Sequence, residues 1–225
     1  MKNIVKLLCL VCLSTVAHAS TISGKIVFNG KVPPPSKIKM SADPNCSSSG
    51  IAFDEQIVST DGGLGNTFVY IKDYTGSASK ATTPVILDQK GCVYKPRVVG
   101  VQVGQPVTIV NSDPTLHNVH GVGKSNAQFN LGMPIQNMKI TKTFDKAELG
   151  MRLKCDVHPW MNTWVNVVTH PYFSISSSNG KYEIKDAPAG KYKVGIWHET
   201  LGEQELSITV PSTGSVNLDF KVASK

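Results

Sequence analysis

Short runs of β-branched and aromatic residues, broken by turn-forming residues, recur along almost the whole chain. Ile22 to Phe28, Thr67 to Lys72, Pro106 to Val110 and Trp164 to Val168 are examples, each bounded by Gly, Pro, Asn, Asp or Ser. The pattern predicts strands, because β-branched side chains suit a pleated surface while Gly and Pro supply the angles that turns need. Most of the 13 Pro and 19 Gly stand at these boundaries. A single helical candidate, Asp145 to Leu149, amounts to barely one turn. The expected class is all-β, with strands at the spacing of sandwiches or small barrels.

Within this pattern a central block, residues 84–169, holds enough strand-like runs to close a two-sheet sandwich. The flanks, residues 20–80 and 170–225, each hold too few to bury a core alone. Stretches around Ser41 to Gly65 and Tyr74 to Thr83 are rich in Ser, Gly, Thr and Asp and read as loops. The C-terminal flank carries Gly180, Tyr182 and Ile184, then Pro188, Ala189, Gly190 and Tyr192. This G-x-Y-x-I…P-A-G-x-Y hairpin resembles the carboxypeptidase regulatory-like (transthyretin-like) sandwich. The resemblance implies that the flanks form one second, small β-sandwich, discontinuous around the central block. A plainer arrangement joins the N-terminal strands to the central sandwich and leaves residues 172–225 as a separate domain.

The first residues are expected to lie outside the fold. Lys2 and Lys6 precede the apolar run Leu7 to Leu13, and Ala17-His18-Ala19 supplies the small residues of a cleavage site. The run is too short for a stable membrane span. We therefore expect a signal peptide, residues 1–19, cleaved between Ala19 and Ser20, and a periplasmic or secreted protein. Its removal reduces five cysteines to Cys46, Cys92 and Cys155 and lowers the formal net charge of +7 by two lysines. In an oxidising compartment thiols tend to pair. A Cys46–Cys92 disulfide would leave Cys155 as the odd thiol. The basic residues are scattered lysines, with only Arg97 and Arg152 as arginines. A nucleic-acid surface would cluster them, so none is expected.

The odd thiol lies in the most chemically loaded segment, Cys155-Asp156-Val157-His158-Pro159-Trp160-Met161. A thiolate, an imidazole and a thioether occur within seven residues, and His117 of the sequence HNVH offers a second imidazole upstream. Two His, one Cys and a weak axial Met are the ligands of an electron-transfer copper site. A strand ending near Lys154 would place Cys155 at the start of a tight loop that returns His158 and Met161 toward one metal. Asn111-Ser112-Asp113-Pro114 would form the turn that delivers His117. Zinc also suits Cys and His, but a Met at short fixed spacing argues for copper. His120 is expected outside the ligand set, and His170 and His198 to be structural or exposed. Met133, Met138 and Met151 read as core or loop residues, and Trp160 and Trp164 as core.

Val101, Val103, Gly104, Val107 and Asn111, followed by His117 to His120 and then Cys155, His158, Pro159, Trp160 and Met161, resemble a cupredoxin. The likeness is to the amicyanin/plastocyanin-like, methylamine-utilisation-type members. It implies a Greek-key β-sandwich with one type 1 copper site. His117, Cys155 and His158 would be near-trigonal ligands and Met161 the long axial one, with Asn118 tying the two ligand loops together. It also implies an exposed His158 edge in a small apolar patch, to which Pro159 and residues near Gly132 to Pro134 would contribute. Through that edge a c-type cytochrome or a dehydrogenase would exchange electrons. The flanks and the pair Cys46 and Cys92 are additions to this pattern, and either cover the site or add docking surface.

One-electron transfer, with copper cycling between Cu(I) and Cu(II), is the leading expectation. Copper storage or delivery would use the same ligands, and an adhesion or glycan-binding module with a structural metal would use the flanks. Catalysis is not expected: four filled ligand positions leave none open for a substrate.

Overall fold

The computed structural model describes residues 20–34 and 36–224. The expected signal peptide lies outside the described residues. The chain opens with β1 (Ser20–Asn29), a short helix α1 (Pro44–Ser48) and β2 (Phe68–Ile71). The central block supplies β3 (Val85–Gln89), β4 (Tyr94–Lys95), β5 (Val98–Gln102), β6 (Val107–Asn111) and β7 (His117–Val122). It continues with β8 (Phe129–Met133), β9 (Lys139–Lys142), β10 (Glu148–Lys154) and β11 (Asn162–Val168). The last third adds β12 (Phe173–Ile175), β13 (Lys181–Ala187) and β14 (Gly190–His198). It ends with β15 (Gly202–Val210), β16 (Gly214–Asn217) and β17 (Phe220–Ala223). The class is all-β, as the alternation of apolar and turn-forming residues predicts.

Four sheets result. In the central block, one runs β5-β11-β10-β7-β8 and the other β4-β3-β6-β9. Between them lies a core that includes Leu87, Ile109, Val119, Met133, Leu153, Cys155, Met161 and Val165. Met40 and Cys46, from the N-terminal flank, are buried in this same core. The flanking segments build the other two sheets, β13-β1-β16, where β17 also pairs with β1, and β12-β2-β14-β15. Ile22, Ile26, Ile71, Ile184, Val194 and Phe220 fill the space between them.

The two cores meet through a third cluster, Phe68, Tyr70, Val98, Val168 and Trp197. Side chains alternate across a strand, so β2 can give Val69 and Ile71 to the flanking core and Phe68 and Tyr70 to this junction. Arg97 closes the junction with a two-pronged ion pair: Nε and Nη2 donate to the Glu199 carboxylate at 2.8 and 2.7 Å. Trp164 Nε1 donates to the same carboxylate.

Two local expectations are corrected. Asp145 to Leu149 is not helical. Its Glu148 begins β10, and the carboxylate accepts the N–H groups of Lys124, Ser125 and Asn126, which fixes the preceding loop instead. The helix lies within the stretch read as loop. Asp43 caps α1 by accepting the N–H groups of Asn45 and Cys46, and Pro44 follows in the first turn. That is the order helix starts favour, since the cap satisfies orphan donors and Pro has none to lose. Among the described residues, no helix is long and apolar enough to cross a membrane.

Candidate metal centre

His117 enters from the turn after β6. Asn111 Oδ1 accepts the Asp113 N–H at 3.0 Å, and Nδ2 donates to the carbonyls of Thr115 and Met133. This buried side chain holds the loop against β8 and starts β7 at His117, opposite Met133 in the ladder. Cys155 directly follows β10. The loop that it opens is closed by two backbone bonds, Met161 N–H to the His158 carbonyl and Cys155 N–H to the Met161 carbonyl. His158 and Met161 are thereby turned back toward Cys155, in a segment stiffened by Pro159.

One donor atom from each of His117, Cys155 and His158 falls within a 4.8 Å cluster. The Nδ1 atoms of the two imidazoles are 2.9 Å apart, and Cys155 Sγ lies 3.8 Å from His158 Nδ1. Met161 is fully buried on the same loop. Asn118 bridges the two loops. Its Oδ1 accepts the Asp156 N–H at 2.7 Å and the Cys155 thiol at 3.2 Å, while Nδ2 donates to Asn130 and Asp156. His120 sits apart at the surface, its Nδ1 2.9 Å from Asp156 Oδ2. His170 and His198 are buried away from this cluster, His170 against the Ile71 carbonyl and His198 against Thr200.

The outer nitrogen of each candidate ligand is taken by a carboxylate. His117 Nε2 lies 3.0 Å from Asp113 Oδ2, and His158 Nε2 lies 3.0 Å from Asp43 Oδ2. Asp113 in turn accepts the N–H groups of Gly91 and Cys92. Cys92 is bonded to Cys46, the disulfide expected from the cysteine count. The sulfurs of that bridge make two further groups with these His and Asp residues, but they are bonded to each other and so serve as support.

Electrostatics follow from this arrangement. Burial favours neutral His117, but hydrogen bonds to Asp113 and Cys155 outweigh it and push its pKa up to about 9. Burial would raise the Cys155 thiol, yet hydrogen bonding to His117 and to the backbone of Asn118, His158 and Val157 leaves it lowered. The Thr115 hydroxyl holds Asp43 down at about 2, against the opposing effect of burial and with help from His158 and two amides. Burial would also raise Asp113, but His117 and the Cys92 and Gly91 amides bring it below the usual carboxylate range.

With both Nε2 atoms directed at carboxylates, the two Nδ1 atoms are the ring nitrogens turned toward Cys155, and a metal would take the place of the proton that they share across 2.9 Å. That donor set fits a copper ion: a thiolate and two imidazoles, with a thioether on the same loop.

One expectation fails at this site. The edge of His158 is not exposed: the residue is 2 % accessible, covered by Asp43 and by Cys46, whose Sγ is 3.5 Å from Nε2. Pro159, Gly132 and Pro134 are exposed, as are Leu116 and Val157, the residues just before the two His. Trp160 is tied to the disulfide, donating from Nε1 to the Cys92 carbonyl at 2.9 Å, with its ring 5.2 Å from that of His158. Asp43, Asp113 and Thr115 were not singled out as site residues from the sequence. Asp113, four residues before His117, carried a local signal. Asp43 carried only its cap position, three residues before a paired cysteine.

No protein-family model matches the chain, and no curated protein is detectably similar to it. Among solved structures, parts of the chain superpose on copper proteins. A copper-containing nitrite reductase from Thermus scotoductus SA-01 matches 43 % of this chain at 20 % identity, with a TM-score of 0.36. The chain spans only 25 % of that enzyme. A purple cupredoxin from Nitrosopumilus maritimus matches 37 % of this chain and 98 % of its own, at 20 % identity and a TM-score of 0.32. An amicyanin variant in its Cu(I) form matches 44 % of this chain and 97 % of its own, at 25 % identity and a TM-score of 0.34.

Proposed function

We propose that this chain binds one copper ion through His117, Cys155, His158 and Met161 and serves as a one-electron carrier. The observation that carries the proposal is the convergence of the Cys155 thiol and two inward-facing Nδ1 atoms on one point. Copper there supplies a single-electron couple, Cu(I) to Cu(II). The protein supplies a fixed cage: two loops bridged by Asn118, and imidazoles backed by carboxylates. A held geometry suits electron transfer, because a change of oxidation state then needs little rearrangement. Delivery is less well served, since an incoming ligand must reach the metal and all four side chains are at most 2 % exposed.

In this reading the protein works in the periplasm or outside the cell and exchanges electrons with a c-type cytochrome or a dehydrogenase. It has no catalytic role of its own. Residues 20–80 and 170–225 act as one discontinuous module around block 84–169, a reading supported by a core shared between Ile22, Ile26, Val194 and Phe220. Adding Cu(II) to the purified protein should give a blue thiolate-to-copper band, a narrow copper hyperfine splitting in EPR and a reversible couple. A protein that stays colourless and shows no such splitting is not this kind of carrier.

A further inference from the structure

His158 is closed off by chain that comes from far away in sequence. Its Nε2 contacts Asp43, 115 residues upstream. Three further donors fix Asp43. Oδ1 accepts the Asn45 and Cys46 N–H groups, and Oδ2 accepts the hydroxyl of Thr115, two residues before His117. Cys46 is bonded to Cys92, whose N–H holds Asp113 behind the other imidazole. One disulfide therefore fastens the carboxylates behind both rings.

A carboxylate already accepting three donors meets His158 as an acceptor, so the Nε2 of that ring carries the proton. Nδ1 then keeps its lone pair, directed toward His117 and Cys155. We propose that Asp43 is a positioning residue of the metal centre: it holds His158 as the Nε2–H tautomer and seals that imidazole's edge, with the Cys46–Cys92 bridge as the fastening. The proposal rests on the copper assignment above. It has two consequences. A carboxylate on the outer N–H makes the imidazole a stronger donor and favours the more highly charged metal. A partner approaching this end also meets Asp43 and α1 rather than the ring.

The test has two arms. In the first, the metal-free protein is treated with diethyl pyrocarbonate, which acylates accessible imidazole nitrogen, and modified histidines are located by mass spectrometry. His158, only 2 % accessible, should be protected in the native chain and lose that protection, becoming the fastest-modified of the buried histidines, in Asp43→Ala and in the Cys46→Ala/Cys92→Ala pair. His170 and His198 should stay protected in every variant, which reports that the fold is intact. In the second arm, the copper-loaded Asp43→Asn variant should have a higher reduction potential. A tenfold loss of preference for Cu(II) over Cu(I) corresponds to about 59 mV.

Protection of His158 in Asp43→Ala, with His170 and His198 also protected, overturns the seal. An unchanged potential in Asp43→Asn overturns the positioning role. A native chain that takes up no copper overturns the carrier assignment instead, and the modification arm, read on the metal-free protein, still tests the seal.

Discussion

The Nδ1 atoms of His117 and His158 face each other across 2.9 Å, and an aspartate stands behind each ring. Cys155 joins them in one cluster of donor atoms, and Met161 is buried on the same loop as Cys155 and His158. The proposed copper site therefore depends on a thiol that has no disulfide partner.

Cys155 is the free cysteine among the described residues, and it is buried. Cys155→Ser should abolish the thiolate-to-copper band entirely. A hydroxyl can still donate to Asn118, so stability should fall by only about 1 kcal/mol, the usual worth of one hydrogen bond. Absorption after Cu(II) addition and a urea titration check the two parts separately.

The Cys46–Cys92 bridge closes a long loop, with a sequence separation of 46. In the chain-entropy account, opening a loop of that size costs about 4 kcal/mol of stability. Cys46→Ala/Cys92→Ala should lower the denaturation midpoint by that measure, and a reductant should do the same to the native chain. A midpoint that did not move would mean that the segment carrying Asp43 and α1 is held by Met40 and its neighbours rather than by the bridge.

Gly150 marks the bulge in β10, with φ +63°. A Cβ there would sit 2.6 Å from Trp197 Cζ2, in the cluster that joins the two cores. Left-handed strain costs about 1–2 kcal/mol and overpacking about 1–3 more. Gly150→Ala should therefore be strongly destabilising, by about 2–5 kcal/mol on those figures. Tryptophan emission should shift as Trp197 is displaced; an unshifted spectrum with native stability would contradict the packing described.

His198 makes the fold sensitive to acid at a place remote from the candidate metal centre. Burial pulls its pKa down to about 4, Glu199 opposing and Arg97 assisting, and its Nε2 has no hydrogen-bond partner. The unfolded chain protonates a histidine near pH 6.5. Between about pH 6.5 and 4 the unfolded state therefore binds a proton that the folded state refuses, and stability falls as pH falls. The contribution is complete above that window and amounts to about 3 kcal/mol on the linkage scale. Denaturation midpoints across the window should slope less in His198→Asn, whose Oδ1 can still accept from Thr200.

The candidate donors could be read from the chain because they are local. Cys155, His158 and Met161 share one loop, and the turn at Asn111 to Pro114 announces His117. The disulfide followed from counting cysteines. The cover over His158 could not be read in the same way. Asp43 looks like any helix cap, and only the path of the chain brings it to an imidazole in the central block. Asp145 to Leu149 misled for a related reason: the Glu148 carboxylate is used by amides of a distant loop, and Gly150 turns the strand where a helix would have continued. Such long-range contacts leave no periodicity to detect.

Since His117, Cys155, His158 and Met161 are all sealed from solvent, an ion cannot reach them by diffusion through a fixed molecule. For the proposed copper ion, the rate of loading would be set by how often the segment carrying Asp43 lifts, or the loop of His158 swings out. The rate of loss would be set by the same opening. Affinity and residence time are then separate properties of this protein. A change at Asp43 or Cys46 should alter how long the metal stays, even where every donor atom is untouched.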